Sequence, residues 1–289
     1  MTRVSILGAG ALTSVGTSIV QVFTSVRAGV ARLRETSLCD RAFDPVVMGL
    51  VPDRHLAPLA PTLTTRGTLT PRQSRMLRLA HTAWEPLVGA SPSVRAAPLY
   101  LGLPEGLPGR LEAAHVGFLD DLAAQFNGGF DRARSTAFDL GRAAAMFALH
   151  RAVADLRDGA TEYAWVGGVD SYLDLFLVGT LDLHGRLKTP RRAEGFHPGE
   201  GAAFLLLGRG ELPGAWCTVA ATGLAEEPGH LGSDLPLLGD GLSDAVRAAL
   251  ASATAPVTAV LSSLNGEHLF AKEWGVAARR NHRLLAEDA

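Results

Sequence analysis

Apolar residues recur along this chain in two rhythms, short continuous runs and i, i+3, i+4 stripes, and the two alternate. Residues 4–7 (Val-Ser-Ile-Leu) predict a strand ending at Gly8-Ala9-Gly10. Residues 18–28 place Ile19, Val22, Phe23 and Val26 on one helical face, with Gly29 as the stop. Residues 40–70, rich in Pro, Thr and Leu, predict irregular chain. Thr70-Pro71 is a cap followed by proline in the first turn, so a helix is expected through Met76, Ala80, Ala83 and Trp84. Residues 98–102 predict a strand, and 111–126 a helix with Leu119 and Leu122 on its apolar side. Residues 143–158 carry Met146, Leu149, Val153 and Leu156 on one face and alanines on the other, a helix expected to be buried nearly all round. Residues 163–168 predict a strand. Residues 202–207 (Ala-Ala-Phe-Leu-Leu-Leu) are wholly apolar, as in a sheet covered on both faces. Further strands are expected at 216–222 and 257–262, and helices at 242–253 and 270–280. Strands alternating with helices make the class α/β. The softest boundary is the Gly/Arg/Pro segment 208–214.

Composition narrows the function classes. A chain of 289 residues, 47% hydrophobic, can hold one large domain or two modest ones. A net charge of −2 gives no electrostatic footprint for nucleic acid. No apolar run approaches the ~20 residues of a membrane span, and the first residues run straight into a strand, so no signal peptide is expected. Cys39 and Cys217 are far apart, with no CxxC and no Cys/His spacing suited to zinc. They fit a reducing cytoplasm as two buried thiols, and neither opens a helix.

Few residues outside that pattern invite chemistry. Gly8-x-Gly10 after a strand suggests a dinucleotide turn, but Thr13 fills the slot of the third glycine, so no nucleotide cofactor is expected. His197 and His230 lie in Gly/Pro turns and are expected to be solvated. Asp120-Asp121 is expected to be a solvated helix face. Ser135 and Ser171 have no base nearby in sequence.

Three segments in order are similar to the N-terminal half of the β-ketoacyl synthases, in the thiolase-like superfamily. Residues 4–16 (Val-Ser-Ile-Leu-Gly-Ala-Gly-Ala-Leu-Thr-Ser-Val-Gly) resemble that family's first strand and glycine turn, and Val26-Arg27-Ala28-Gly29 the end of its first helix. Ser135-Thr136-Ala137-Phe138-Asp139-Leu140-Gly141-Arg142, the Ala-rich helix and Gly167-Gly168 resemble the nucleophile region. Gly195-Phe196-His197-Pro198-Gly199-Glu200-Gly201-Ala202-Ala203 is similar to the family's Gly-Phe-x-x-Gly-Glu-Gly-Ala segment and is the most specific match. Counting back from Gly167-Gly168, or from Ala148-Leu149-His150, the catalytic cysteine's slot falls on Arg142. A helix N-terminus favours a thiolate, whereas a guanidinium stays protonated and is no nucleophile.

The resemblance implies a thiolase-like layered α/β/α fold, with residues 1–210 as the ketosynthase N-terminal-like half. Residues 211–289 would be a partial second half, so the duplicated unit is incomplete. It implies a protein without Cys-dependent condensation, acting as a partner, scaffold or acyl-binding module in fatty-acid or polyketide-type synthesis. The alternative is an acyltransferase, condensing or malonyl-decarboxylating, on carrier- or CoA-bound thioesters. The site carried over comprises Arg142, Asn265 and His268, with Phe138 and Glu200 toward substrate, and no cofactor or metal. Arg142 would bind an anion, or else pair with Asp139 or Glu200. Asn265, where the family's histidine would fall, would donate to an oxyanion or merely stabilise its turn. The implied partners are an acyl carrier protein or acyl-CoA, and a second subunit. That subunit would make a homodimer, or a heterodimer with an active synthase, around the strand at 163–168.

Overall fold

The computed structural model describes residues 2–91, 94, 96–106 and 117–286. The chain forms two compact units, one of residues 1–179 and 198–219, the other of residues 180–197 and 220–289.

The first unit is built on a six-stranded mixed sheet. Its strands are β1 (Val4–Thr13), β4 (Leu99–Gly102), β5 (Thr136–Phe138), β6 (Tyr163–Ser171), β7 (Glu200–Arg209) and β8 (Cys217–Thr218), in the order β5-β4-β6-β7-β1-β8. β4 runs parallel to β5 and β6, while β7 is antiparallel to both β6 and β1. Strand alternation divides the side chains between two cores. Leu99, Leu101, Trp165, Phe204 and Leu206 face one core, which holds helix α3 (Pro71–Ala90). Tyr100, Ala164, Val166 and Leu207 face the other, with helix α5 (Ala144–Arg157). The sheet is therefore covered on both faces, as the apolar run at 202–207 implied, and the layered α/β/α expectation holds.

Capping chemistry sets α3. Thr70 accepts from the Gln73 backbone N–H, and the Gln73 side chain accepts from the Thr70 N–H, a reciprocal capping box. β1 does not end at Gly8-Ala9-Gly10 but continues through them to Thr13. These glycines serve close packing, since a Cβ on Gly10 would lie 2.1 Å from the Ala83 carbonyl oxygen of α3. Gly102 does the same for α5, with a Cβ 2.5 Å from the Ala145 nitrogen.

Several expectations are corrected. Residues 40–70 are not all irregular. They hold strand β3 (Pro45–Met48), which pairs with β2 (Arg34–Cys39), and helix α2 (Pro61–Arg66). The ribbon was hidden because β2 (Arg-Glu-Thr-Ser-Leu-Cys) is mostly exposed and lacks an apolar face. Helix α1 (Ile19–Arg27) forms as expected, capped by Ser18 and followed by Gly29 at φ +65°, but buries no residue fully. α5 is not buried all round, since Met146 is 59% exposed. The helix expected at 111–126 lies partly outside the described residues; its described part is α4 (Phe118–Gln125). Asp121 on it is buried and pairs with Arg66 at 2.6 Å, so the Asp120-Asp121 pair is only half solvated. The strand at 163–168 is paired on both sides, by β4 and β7, and offers no edge for a subunit. The free borders of the sheet are β5 and β8.

Helix α6 (Leu175–Leu183) runs from the first unit into the second. The second unit holds α7 (Asp240–Leu250) and α8 (His268–Arg280), joined where the buried Asn281 amide donates to the Ser243 carbonyl and hydroxyl oxygens (3.1 and 3.2 Å). No strand forms at 257–262; Val257 makes only an isolated bridge to Leu285. An apolar run alone did not distinguish strand from extended loop there. Among the described residues, no helix is long and apolar enough to cross a membrane.

Candidate functional site

The turn between β5 and α5 is the centre of the first unit's concave chemistry. β5 ends at Phe138, and a short 3-10 turn, Gly141–Ala143, feeds α5. Gly141 has φ +56°, a left-handed conformation that suits glycine. Beside the turn opens a groove of about 490 Å³, lined by apolar and small residues including Leu103, Gly141, Ala144, Met146 and Gly168. Asp170, from the end of β6, is the one titratable group among its described lining residues. Such a size and lining suit a ligand body rather than a solvated surface dimple.

Of the expected site residues, Arg142 stands in the turn itself and is exposed. Its neighbours Gly141 and Ala144 line the groove and Arg142 does not. Phe138 is half-buried and packs on the α5-side core with Tyr100 and Leu149. The Tyr100 hydroxyl donates to Asp155 Oδ2 at 2.6 Å, and burial, then that bond, pushes its pKa well above the ordinary phenol range.

Glu200, at the start of β7, is a buried hub. Its carboxylate accepts from Arg75 Nε and Nη2 (2.6 Å each), Ser171 Oγ (2.7 Å) and the Val51 N–H (2.7 Å). Its side chain has no exposure. Arg75 reaches on to Asp53 (2.6 Å) and the Val51 carbonyl (2.7 Å). Burial works against the Arg75 charge, but the bonds to Glu200 and Asp53 outweigh it and raise its pKa. One turn earlier on α3, Arg72 donates to the Ser171 carbonyl (2.6 Å) and to Asp170 (2.7 Å). Burial lifts the Asp170 pKa above the usual carboxylate range against the pull of Arg72. These contacts fix the ends of β6 and β7, which frame the groove. Sequence reading missed Arg72 and Arg75; nothing in the sequence of α3, which also carries Arg78, His81 and Glu85, separates these two from solvated arginines.

Asn265 and His268 lie in the second unit. Asn265 Oδ1 accepts from the Glu267 N–H at 3.1 Å, an Asx turn, and its amide donates to Glu267 Oε2 at 2.6 Å. Glu267 in turn holds Arg186 through two bonds, at 2.7 and 3.0 Å, and Arg186 lies over the Phe196 ring at 5.5 Å. His268 is exposed at the first position of α8. His230 is exposed as expected, whereas His197 is half-buried with Nδ1 enclosed and without a hydrogen-bond partner.

Both cysteines are exposed, correcting the expectation of buried thiols. Cys39 ends the exposed ribbon strand β2, and Cys217 lies in the border strand β8. A chromogenic disulfide should therefore release two equivalents of thiol from the native protein within minutes. Release of fewer than two before denaturant is added would contradict this exposure. Among the described residues, no cluster of His, Cys, Asp and Glu could hold a metal ion.

Residues 131–212 match the family model described as "Beta-ketoacyl synthase, N-terminal domain", which spans β5, α5, β6 and β7. No curated protein sequence matches the chain. Among solved structures, the chain is similar to one of a ketosynthase (ApeO) in complex with its chain length factor (ApeC) from Xenorhabdus doucetiae. The TM-score is 0.71 at 19% identity, covering 98% of this chain and 76% of that one. An oxazolomycin ketosynthase domain from Streptomyces albus JA3453 gives 0.72 at 16% identity, covering 97% of this chain but only 56% of that one. A type II polyketide ketosynthase solved with its acyl-carrier protein gives 0.71 at 15% identity, covering 99% and 78%. At such identities the likeness is one of fold. With the family match confined to the segment that builds the groove, it shows that this chain has the thiolase-like fold of the β-ketoacyl synthases.

Proposed function

We propose that this protein is a non-condensing, ketosynthase-like partner or acyl-binding module for fatty-acid or polyketide-type synthesis, its nucleophile slot filled by Arg142. The observation that carries this reading is the turn before α5. It carries Arg142, exposed and flanked by the groove-lining Gly141 and Ala144, and no cysteine lies in that turn. Cys217 sits in β8, at the opposite border of the sheet from β5. Five strand spacings separate the two borders, about 24 Å. The groove supplies the acyl-binding element, and Arg142 an anchor for a carboxylate or phosphate. A chain length factor and an acyl-carrier protein accompany two of the similar structures, which supports a synthase subunit and a carrier as partners. The subunit contact is proposed at the β5 border, as a homodimer or a heterodimer with a Cys-bearing synthase. Residues 211–289 are read as a partial second half.

The test is intact mass after incubation with acyl- and malonyl-carrier thioesters, alongside co-purification with a Cys-bearing synthase. The expected result is unmodified protein and a co-purifying synthase. A stable acyl adduct on Cys39 or Cys217 would restore a transferase. A strictly monomeric protein that retains no synthase would remove the partner role.

The exposure of Arg142 beside the groove favours one second reading, decarboxylation of a malonyl thioester. Arg142 would hold the carboxylate while the C–CO2 bond breaks, its electron pair passing to the α-carbon and then to a proton from water. Carbon dioxide release that disappears in Arg142→Ala would establish it, and release unchanged in that variant would dismiss it.

A further inference from the structure

We infer that the first unit carries a second ligand site, a basic cleft between α1, the turn after β1 and the start of the β2–β3 ribbon, suited to a phosphate-bearing small molecule. The cleft has a volume of about 760 Å³, within the usual range for metabolite pockets. Arg32, Arg34, Arg54 and His55 contribute to its lining, and among the described residues no Asp or Glu does. Leu33 and Leu50 add apolar surface beside those cations.

Unlike Arg66, Arg72 and Arg75, these are not engaged by carboxylates among the described residues. Among the described residues, no ion pair involves Arg32, Arg34 or Arg54. Asp53 feels the field of Arg34, but its carboxylate is hydrogen-bonded to Arg75. Three like charges lining one cleft repel one another, and Asp53, hydrogen-bonded to Arg75, offsets them only in part. An anion with several oxygens relieves that repulsion and matches their forked donors.

The floor of the cleft is preformed. Thr13 and Gly16 exchange backbone hydrogen bonds (2.9 and 3.3 Å), and the Thr17 N–H and hydroxyl both donate to Gln21 Oε1 (2.9 and 3.0 Å). Gly16 lets α1 sit directly on the turn, since a Cβ there would lie 2.6 Å from the Val22 nitrogen. A preformed cationic cleft binds without first ordering its walls. The site is independent of Arg142 and of the proposed scaffold role.

Titration calorimetry at low salt, with inorganic pyrophosphate and ADP as probes and adenosine as the uncharged control, tests this assignment. Saturable binding of pyrophosphate or ADP is expected, with none for adenosine, and affinity should fall as salt is added. Arg34→Ala/Arg54→Ala should bind at least ~10-fold more weakly, because hydrogen bonds to charged groups are lost. Both side chains are exposed, so the double variant should melt with the wild type; Arg54→Glu gives an independent check by reversing one charge. Arg142→Ala should bind as the wild type does, which separates this cleft from the groove beside α5. Absence of saturable binding overturns the inference, as does equal affinity in Arg34→Ala/Arg54→Ala or a loss seen only in Arg142→Ala.

Discussion

Glu200→Ala should lower the stability of the first unit by ~3–5 kcal/mol, the cost of leaving one member of a buried ion pair without its partner. Arg75 would keep Asp53 and the Val51 carbonyl but lose both bonds to the carboxylate, and the Ser171 hydroxyl and Val51 N–H would lose their acceptor. Thermal unfolding followed by circular dichroism should show the midpoint falling by about 10 °C. Combining it with Arg75→Met should recover part of the loss, because neither charge is then stranded. A midpoint unchanged in the single variant would mean that Glu200 is not the hub its hydrogen bonds describe. The same variant bears on function, because Glu200 and Ser171 tie together the strand ends that frame the groove. Loss of probe binding in the groove should accompany loss of stability.

Trp84→Ala should be comparably severe. The indole is 3% exposed and is stacked on Phe126 with centroids 4.7 Å apart, with Trp165 at 4.5 Å and Phe204 at 5.3 Å. Truncation would open a cavity between α3, α4, β6 and β7, and aromatic-to-alanine changes of this kind cost ~3–5 kcal/mol. Urea unfolding should show the midpoint shifted down with the slope unchanged. Trp84→Phe should fall between the variant and the wild type, because it keeps a ring in contact with Phe126. A midpoint for Trp84→Ala within error of the wild type would show that the cluster is not a unit of stability.

The layers of this fold were legible because their signals are local. Thr70-Pro71 with Gln73 announces a helix start, and residues 202–207 announce a strand covered on both faces. The exposed ribbon was not legible, because β2 buries no apolar stripe and pairs through its backbone alone. Nor was the absence of a strand at 257–262, where an apolar run finds no neighbouring strand to complete it. At the candidate site, the turn carrying Arg142 and the segment around Glu200 could be found from their motifs. What each touches could not, since the partners of Glu200 lie 29, 125 and 149 residues away in the chain. The cysteines show the converse. Their type suggests burial, but their strands lie at borders, and border position is a property of topology.

That topology has a consequence for colloidal behaviour. The long strands β1, β6 and β7, of nine or ten residues, are all interior to the sheet, whereas its borders are β5 with three residues and β8 with two. Runaway strand addition needs a long, flat template of unpaired backbone groups. Here β6 and β7 are flanked by strands on both sides, whereas β1 is flanked by β7 along its length and by β8 only at Ser5 and Ile6. Protection of β6 and β7 from strand addition follows from the order of the strands rather than from the character of their residues.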